Sequence, residues 1–168
     1  MGAVKGVGKG AVDTIIEHRR ELPYQTIFDV VKKVDLRAAN KKVLENLALA
    51  GGFDSFEGTH RAQYLNPDGD GIIFLEKAIR FGSKYQESQN SSQTSLFGDN
   101  TDQVYQELVI PPSHEWDNLD KLKKEREVVG IYISGHPLDD FKKEIEWFTN
   151  VNLTQLKDLR PLVNKNVN

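Results

Sequence analysis

Apolar residues recur every three or four positions along most of this chain, which is the spacing of helices with one buried face. Ala11, Val12, Ile15 and Ile16 form the first such stripe, and Glu17–Arg20 stay polar beside it. Pro23 interrupts the pattern, and Ile27, Phe28, Val31 and Val34 then define a second helix. Asp35–Asn40 reads as a tight turn in which Asn40 is placed to cap the next helix. Val43, Leu44, Leu47 and Ala48 make a third stripe, and Gly51-Gly52 ends it.

Beyond residue 60 the periodicity continues to about residue 87, broken by the turn Asn66-Pro67-Asp68-Gly69-Asp70-Gly71. Residues 88–103 are polar and aperiodic, the composition of a mobile linker. A helix is expected from Trp116 to Val129, then the stretch GIYISGHPLDDF, then a helix over Pro137–Phe148. Trp116 and Trp147 are expected to anchor these late helices in a core. The predicted fold class is all-α.

Composition narrows the setting. A chain of 168 residues can bury one good core or two small ones. No stretch approaches the length of a membrane span and no signal peptide opens the sequence, so a soluble, cytoplasmic protein without a membrane partner is expected. There is no cysteine, and the four histidines, His18, His60, His114 and His136, are scattered, so neither disulfides nor zinc spacing appear. The net charge of −3 conceals an asymmetry. Residues 1–50 carry nine Lys/Arg against six Asp/Glu, and the remainder thirteen against nineteen. Any polyanion is therefore expected at the front.

The front also holds the most distinctive motif. Gly6-Val7-Gly8-Lys9-Gly10 crowds three glycines ahead of a helix start, where free N–H groups and the positive dipole end attract anions. The letters satisfy a dinucleotide fingerprint, but no buried strand precedes Gly6, and no Gly-Lys-Ser/Thr follows to make a phosphate loop. A helix-hairpin-helix fits better. In that motif Val4 and Val7 tuck into the core, Gly6 and Gly8 take angles closed to other residues, and the amides of Val7–Gly10 face a duplex phosphate with Lys9 nearby. Such contacts read no bases, so binding is sequence-independent and salt-sensitive. The second turn, Leu36–Lys42, lacks glycine; Arg37, Lys41 and Lys42 there could reach the opposite strand. The bland alternatives are a glycine turn that only packs, and a solvated basic face.

Two other motifs carry less. Asn66, Asp68 and Asp70 imitate a calcium loop, but the closing position holds Lys77, and Glu76 is one residue short. Ser134 and His136 lack an orienting third group for nucleophilic catalysis, so Ser134 and Pro137 read as helix-start chemistry, with His136 undecided.

Taken in order, GAVKGVGKGAVDTIIEHR, FDVVKKVDLRAANKKVLENLALAGGFDSF, SLFG and EREVVGIYISGHPLDDF resemble the C-terminal part of the alpha (catalytic) subunit of bacterial replicative DNA polymerase III. The resemblance covers roughly residues 2–148. It implies a tandem helix-hairpin-helix duplex-binding domain at 1–87 and a flexible loop at 88–103. A helical segment at 104–148 and a lead-in to an oligonucleotide-binding fold at 149–168 complete it, with Met1 an added start. It further implies that Gln93-Thr94-Ser95-Leu96-Phe97 is an internal sliding-clamp peptide. Leu96 and Phe97 would enter an apolar pocket worth ~1.5–3 kcal/mol each on full burial, and Gln93 would set the register. The family's magnesium-binding catalytic aspartates lie upstream, so this stretch is expected to bind and tether without catalysis or cofactor. The implied partners are double-stranded DNA, the clamp and other replicase subunits. Rival readings are a helical adaptor without DNA binding, or the hairpin module of a repair nuclease or ligase.

Overall fold

Seven α-helices and one 3₁₀ turn are present among the described residues, which in this computed structural model are 1–92, 108–151 and 154. They are α1 (Lys9–Glu21), α2 (Ile27–Lys33), α3 (Lys41–Leu49), α4 (Arg61–Leu65), α5 (Phe74–Ser92), α6 (Asn118–Val129) and α7 (Lys142–Phe148). The 3₁₀ turn, Asp139–Phe141, leads into α7. No strand forms among these residues; Pro67 and Ile73 make an isolated bridge that closes the turn between α4 and α5. The all-α expectation holds.

Local chemistry starts and stops these helices where the sequence said. Thr26 caps α2, its hydroxyl accepting from the Asp29 amide at 3.2 Å while the Asp29 carboxylate accepts from the Thr26 amide at 2.9 Å. The Asn40 side chain accepts from the Val43 amide at 3.2 Å and starts α3. Each such cap contributes about 1 kcal/mol. Gly51 (φ 82°) and Gly130 (φ 87°) turn the chain left-handed just past α3 and α6, a conformation that costs a side chain and so favours glycine.

The core lies where the apolar stripes converge. Val7, Ala11 and Ile15 pack with Ile27, Phe28, Val31, Val34, Val43, Leu44 and Leu47, and with Phe74, Leu75 and Ala78 of α5. Phe28 sits edge-on to both Phe74 (6.1 Å) and Phe81 (5.5 Å), the arrangement that aligns ring edges with ring faces. Helix α5 passes close against α2 at Gly82. A Cβ there would lie 2.7 Å from Val31 Cβ and 2.8 Å from the Val31 carbonyl carbon, tighter than packed atoms allow.

Three expectations need correcting. First, α5 runs on to Ser92, five residues into the stretch read as linker, because Gln86 anchors it by donating to the carbonyls of Val31 and Val34 at 2.9 Å each. Second, the last helix begins with the 3₁₀ turn at Asp139 rather than at Pro137. Third, Trp147 is 74% exposed and anchors no core. Trp116 is half-buried, donating its indole N–H to Asn66 at 2.9 Å with Lys124 over its ring at 4.6 Å.

Candidate nucleic-acid interface

The glycine turn is built at the surface with its apolar residues turned inward. Val7 is 6% exposed and Val4 is half-buried against the core, whereas Gly6, Gly8, Lys9 and Gly10 are exposed. Gly6 takes φ 73°, as the motif requires. Gly8 does not share that requirement: as the N-cap of α1 it has φ −76° and ψ 166°, extended backbone open to any residue. What glycine supplies at this position is space. A Cβ at Gly8 or Gly10 would meet nothing within 4 Å, so the ground in front of these amides is unoccupied.

The amides themselves divide. Val7 N–H already donates to the Val4 carbonyl at 3.1 Å, which removes it from the expected set of phosphate contacts. Gly8, Lys9 and Gly10 stand at the opening of α1, whose first amides have no acceptor within the helix. No side chain caps α1 and no acidic residue occupies its first turn, while α2, α3 and α6 each carry a side-chain cap. The positive end of the α1 dipole is therefore uncompensated, with the Lys9 side chain close to it. Chemically, such a helix start can receive an anion through its backbone donors, with the Lys9 charge beside it.

The second turn has a different character. It carries a side-chain cap: Asn40 takes the Val43 amide at the start of α3, and within the turn the Asp35 carboxylate takes the Arg37 amide at 2.9 Å. Lys41 is bonded to Glu76, with Glu45 4.0 Å away, and Lys42 lies 3.5 Å from Glu45. Hydrogen bonding to Glu76 raises the Lys41 pKa above 10.5, and bonds from Lys41 and Arg80 lower that of Glu76 below 4.5, so this ion pair persists across the neutral range. Arg37 is exposed. Gln93, Leu96 and Phe97 lie outside the described residues.

Several residues that position the site have only weak sequence signals. Asn46, 3% exposed on α3, donates to the Lys5 carbonyl at 2.7 Å and so holds the glycine turn; its one sign is a polar residue inside an apolar stripe. Thr14 accepts from the Asp35 amide at 3.1 Å and ties α1 to the second turn. Arg61, 5% exposed, forks onto Asp54 (2.6 and 2.9 Å), reaches the Leu49 carbonyl at 3.0 Å and approaches Ser134 Oγ at 3.2 Å. Ser134 in turn donates to the fully buried Glu125, from its amide at 3.2 Å and its hydroxyl at 3.0 Å. Ser134 thus serves a buried network and does not start a helix, correcting the reading above. His136 accepts from the Leu138 amide at 3.2 Å and is a turn element.

The Asn66–Gly71 turn is internally satisfied. Asp68 accepts from the amides of Asp70 and Ile72 and binds Lys77, which together lower its pKa to about 2. No group of three or more His, Asp or Glu side chains among the described residues could hold a metal ion. No described helix is long and apolar enough to cross a membrane.

Residues 1–64 match the helix-hairpin-helix motif family. The chain is 35% identical over 95% of its length to DNA polymerase III subunit alpha of Vibrio cholerae, and 34% identical over 96% to that of Escherichia coli. The Campylobacter jejuni subunit is 35% identical over 95%. The chain spans 13% of the length of each of these relatives. It matches a C-terminal segment of the alpha subunit.

Proposed function

We propose that this counterpart of the C-terminal segment of DNA polymerase III alpha subunits is a DNA-binding region of a replicative polymerase. It grips duplex DNA by one strand's phosphates and tethers it to a sliding clamp. The observation that carries the reading is the α1 N-terminus: uncapped, without an acid in its first turn, and with open space at Gly8 and Gly10. A phosphate oxygen there receives the amides of Gly8, Lys9 and Gly10 and the charge of Lys9, with no contact to a base. Arg37 adds a charge toward the other strand. Lys41 and Lys42 contribute less than a bare count of basic residues suggests, because Glu45 and Glu76 compete for them.

Clamp binding rests on Gln93, Leu96 and Phe97 and on the family match, and polymerisation with its magnesium ions belongs to the parent chain, as do the other replicase subunits. Both halves can be tested together. Fluorescence titration with a mixed-sequence duplex should show binding at low salt that is independent of sequence and weakens steeply as salt rises. Pull-down by a bacterial sliding clamp should be lost on replacing Leu96 and Phe97 with alanine. No duplex binding even at low salt would remove the first half; clamp capture by the double-alanine variant would remove the second.

A further inference from the structure

The glycine turn is positioned by parts of the chain outside its own hairpin. Both polar groups of Lys5 are held from elsewhere: its carbonyl accepts from the Asn46 side chain at 2.7 Å, and its N–H donates to the Val128 carbonyl at 2.7 Å. The two bonds bracket the residue just before Gly6, the one turn position with positive φ. Val128 belongs to the last turn of α6, whose carbonyls have no acceptor role within the helix, so Lys5 satisfies a group that would otherwise need water. Asn46 is only 3% exposed, and its amide lies close enough that a Cβ on Gly6 would be 3.4 Å from Nδ2. The α6 helix is itself fixed by buried Glu125, through Ser134 to Arg61 of α4.

We infer that Asn46 is the positioning residue for the phosphate-binding turn, acting with the end of α6 to aim the amides of Gly8–Gly10. This rests on the duplex-binding reading above. The hairpin is then not a self-contained module: its aim depends on a side chain about forty residues away and on a helix more than one hundred residues away in sequence. An Asn is suited to the role because its amide donates without carrying a charge into the core.

The test compares the full chain with Asn46→Ala and with the isosteric Asn46→Asp. It follows the Lys5 amide by hydrogen exchange and duplex affinity by titration. Removing a buried hydrogen bond of this kind should lower duplex affinity about tenfold, while helical content and cooperative melting persist and Lys5 loses exchange protection. The Asp variant carries a signature that a merely structural role lacks. Its buried carboxyl, with a raised pKa, can donate to the Lys5 carbonyl only when protonated. Its affinity deficit relative to the parent should therefore shrink between about pH 8 and about pH 5. Should the alanine variant fail to fold, the Asp variant carries the test alone. Parent-like affinity in Asn46→Ala, or unchanged Lys5 protection, overturns the inference. If the parent chain binds no duplex, the duplex-binding reading fails, and Lys5 protection still decides whether Asn46 holds the turn.

Discussion

The two turns of this domain solve opposite problems with similar parts. Each precedes a helix, each presents basic residues, and an amide side chain from elsewhere bonds the chain just ahead of each, Asn46 at Lys5 and Gln86 at Val34. The first leaves its helix opening bare. The second caps its helix with Asn40, spends the Arg37 amide on Asp35 within the turn, and pairs its lysines with Glu45 and Glu76. A helix capped by its own side chain is more stable and has less to offer an incoming phosphate. The glycine turn forgoes that stability and leaves its first amides without a side-chain cap. Counting lysines and arginines hides this difference between the turns. Whether the donors are already satisfied is what separates them.

That contrast can be strained from either side, starting with the turn that packs. Gly82 lets α5 approach the end of α2, beside the Gln86 bonds just ahead of the second turn. Gly82→Ala should destabilise the fold by about 1–3 kcal/mol through overpacking, outweighing alanine's better helix propensity, and thermal melting would read it. A melting temperature at or above that of the parent would show that the close approach is not needed.

The sharpest probe gives the first turn what the second already has. Gly8→Asp has backbone angles that aspartate can adopt and room for its side chain. It should cap α1 and raise stability by about 0.3 kcal/mol, while placing a carboxylate at the proposed phosphate site and lowering duplex affinity about tenfold. Stability and binding should move in opposite directions. If both rise, or neither changes, the open helix end is not the phosphate site.

A smaller effect is expected from freeing the second turn. Glu76→Gln releases Lys41 from its strongest partner and should raise duplex affinity by about twofold, more at low salt than at high. The same variant has a pH signature. Bonds from Lys41 and Arg80 depress the folded-state pKa of Glu76 below 4.5, so its stabilising contribution is complete above about pH 4.5 and fades as pH falls below that. Melting curves of parent and variant should differ near neutrality and converge in acid. Divergence in acid would contradict the assigned pairing.

Much of this was legible in the letters. The stripes at Ile27, Phe28, Val31 and Val34 and at Val43, Leu44 and Leu47 are all buried as their spacing requires. Asn40 caps α3 because an Asn in that place has little else to do. Gly6 takes the positive φ and the Val7 side chain the burial that the motif implies, although the Val7 amide is already bonded to Val4. Gly8 did not follow the same logic, since its glycine reflects space outside the chain and not a backbone angle within it. Trp147 failed as an anchor because hydrophobicity states a preference for burial and names no partner.

Periodicity, caps and the glycine run are local properties, and they were sufficient to set the helices, the all-α class and the location of the candidate site. Pairings between distant residues are not local. The bonds from Asn46 and Val128 to Lys5, the capture of Lys41 by Glu76 and the passage of Gly82 past Val31 join positions far apart in sequence. Only packing brings them together, because a hydrogen-bond donor or an ammonium group has no preference for one acceptor over another until the fold decides which acceptors lie within reach.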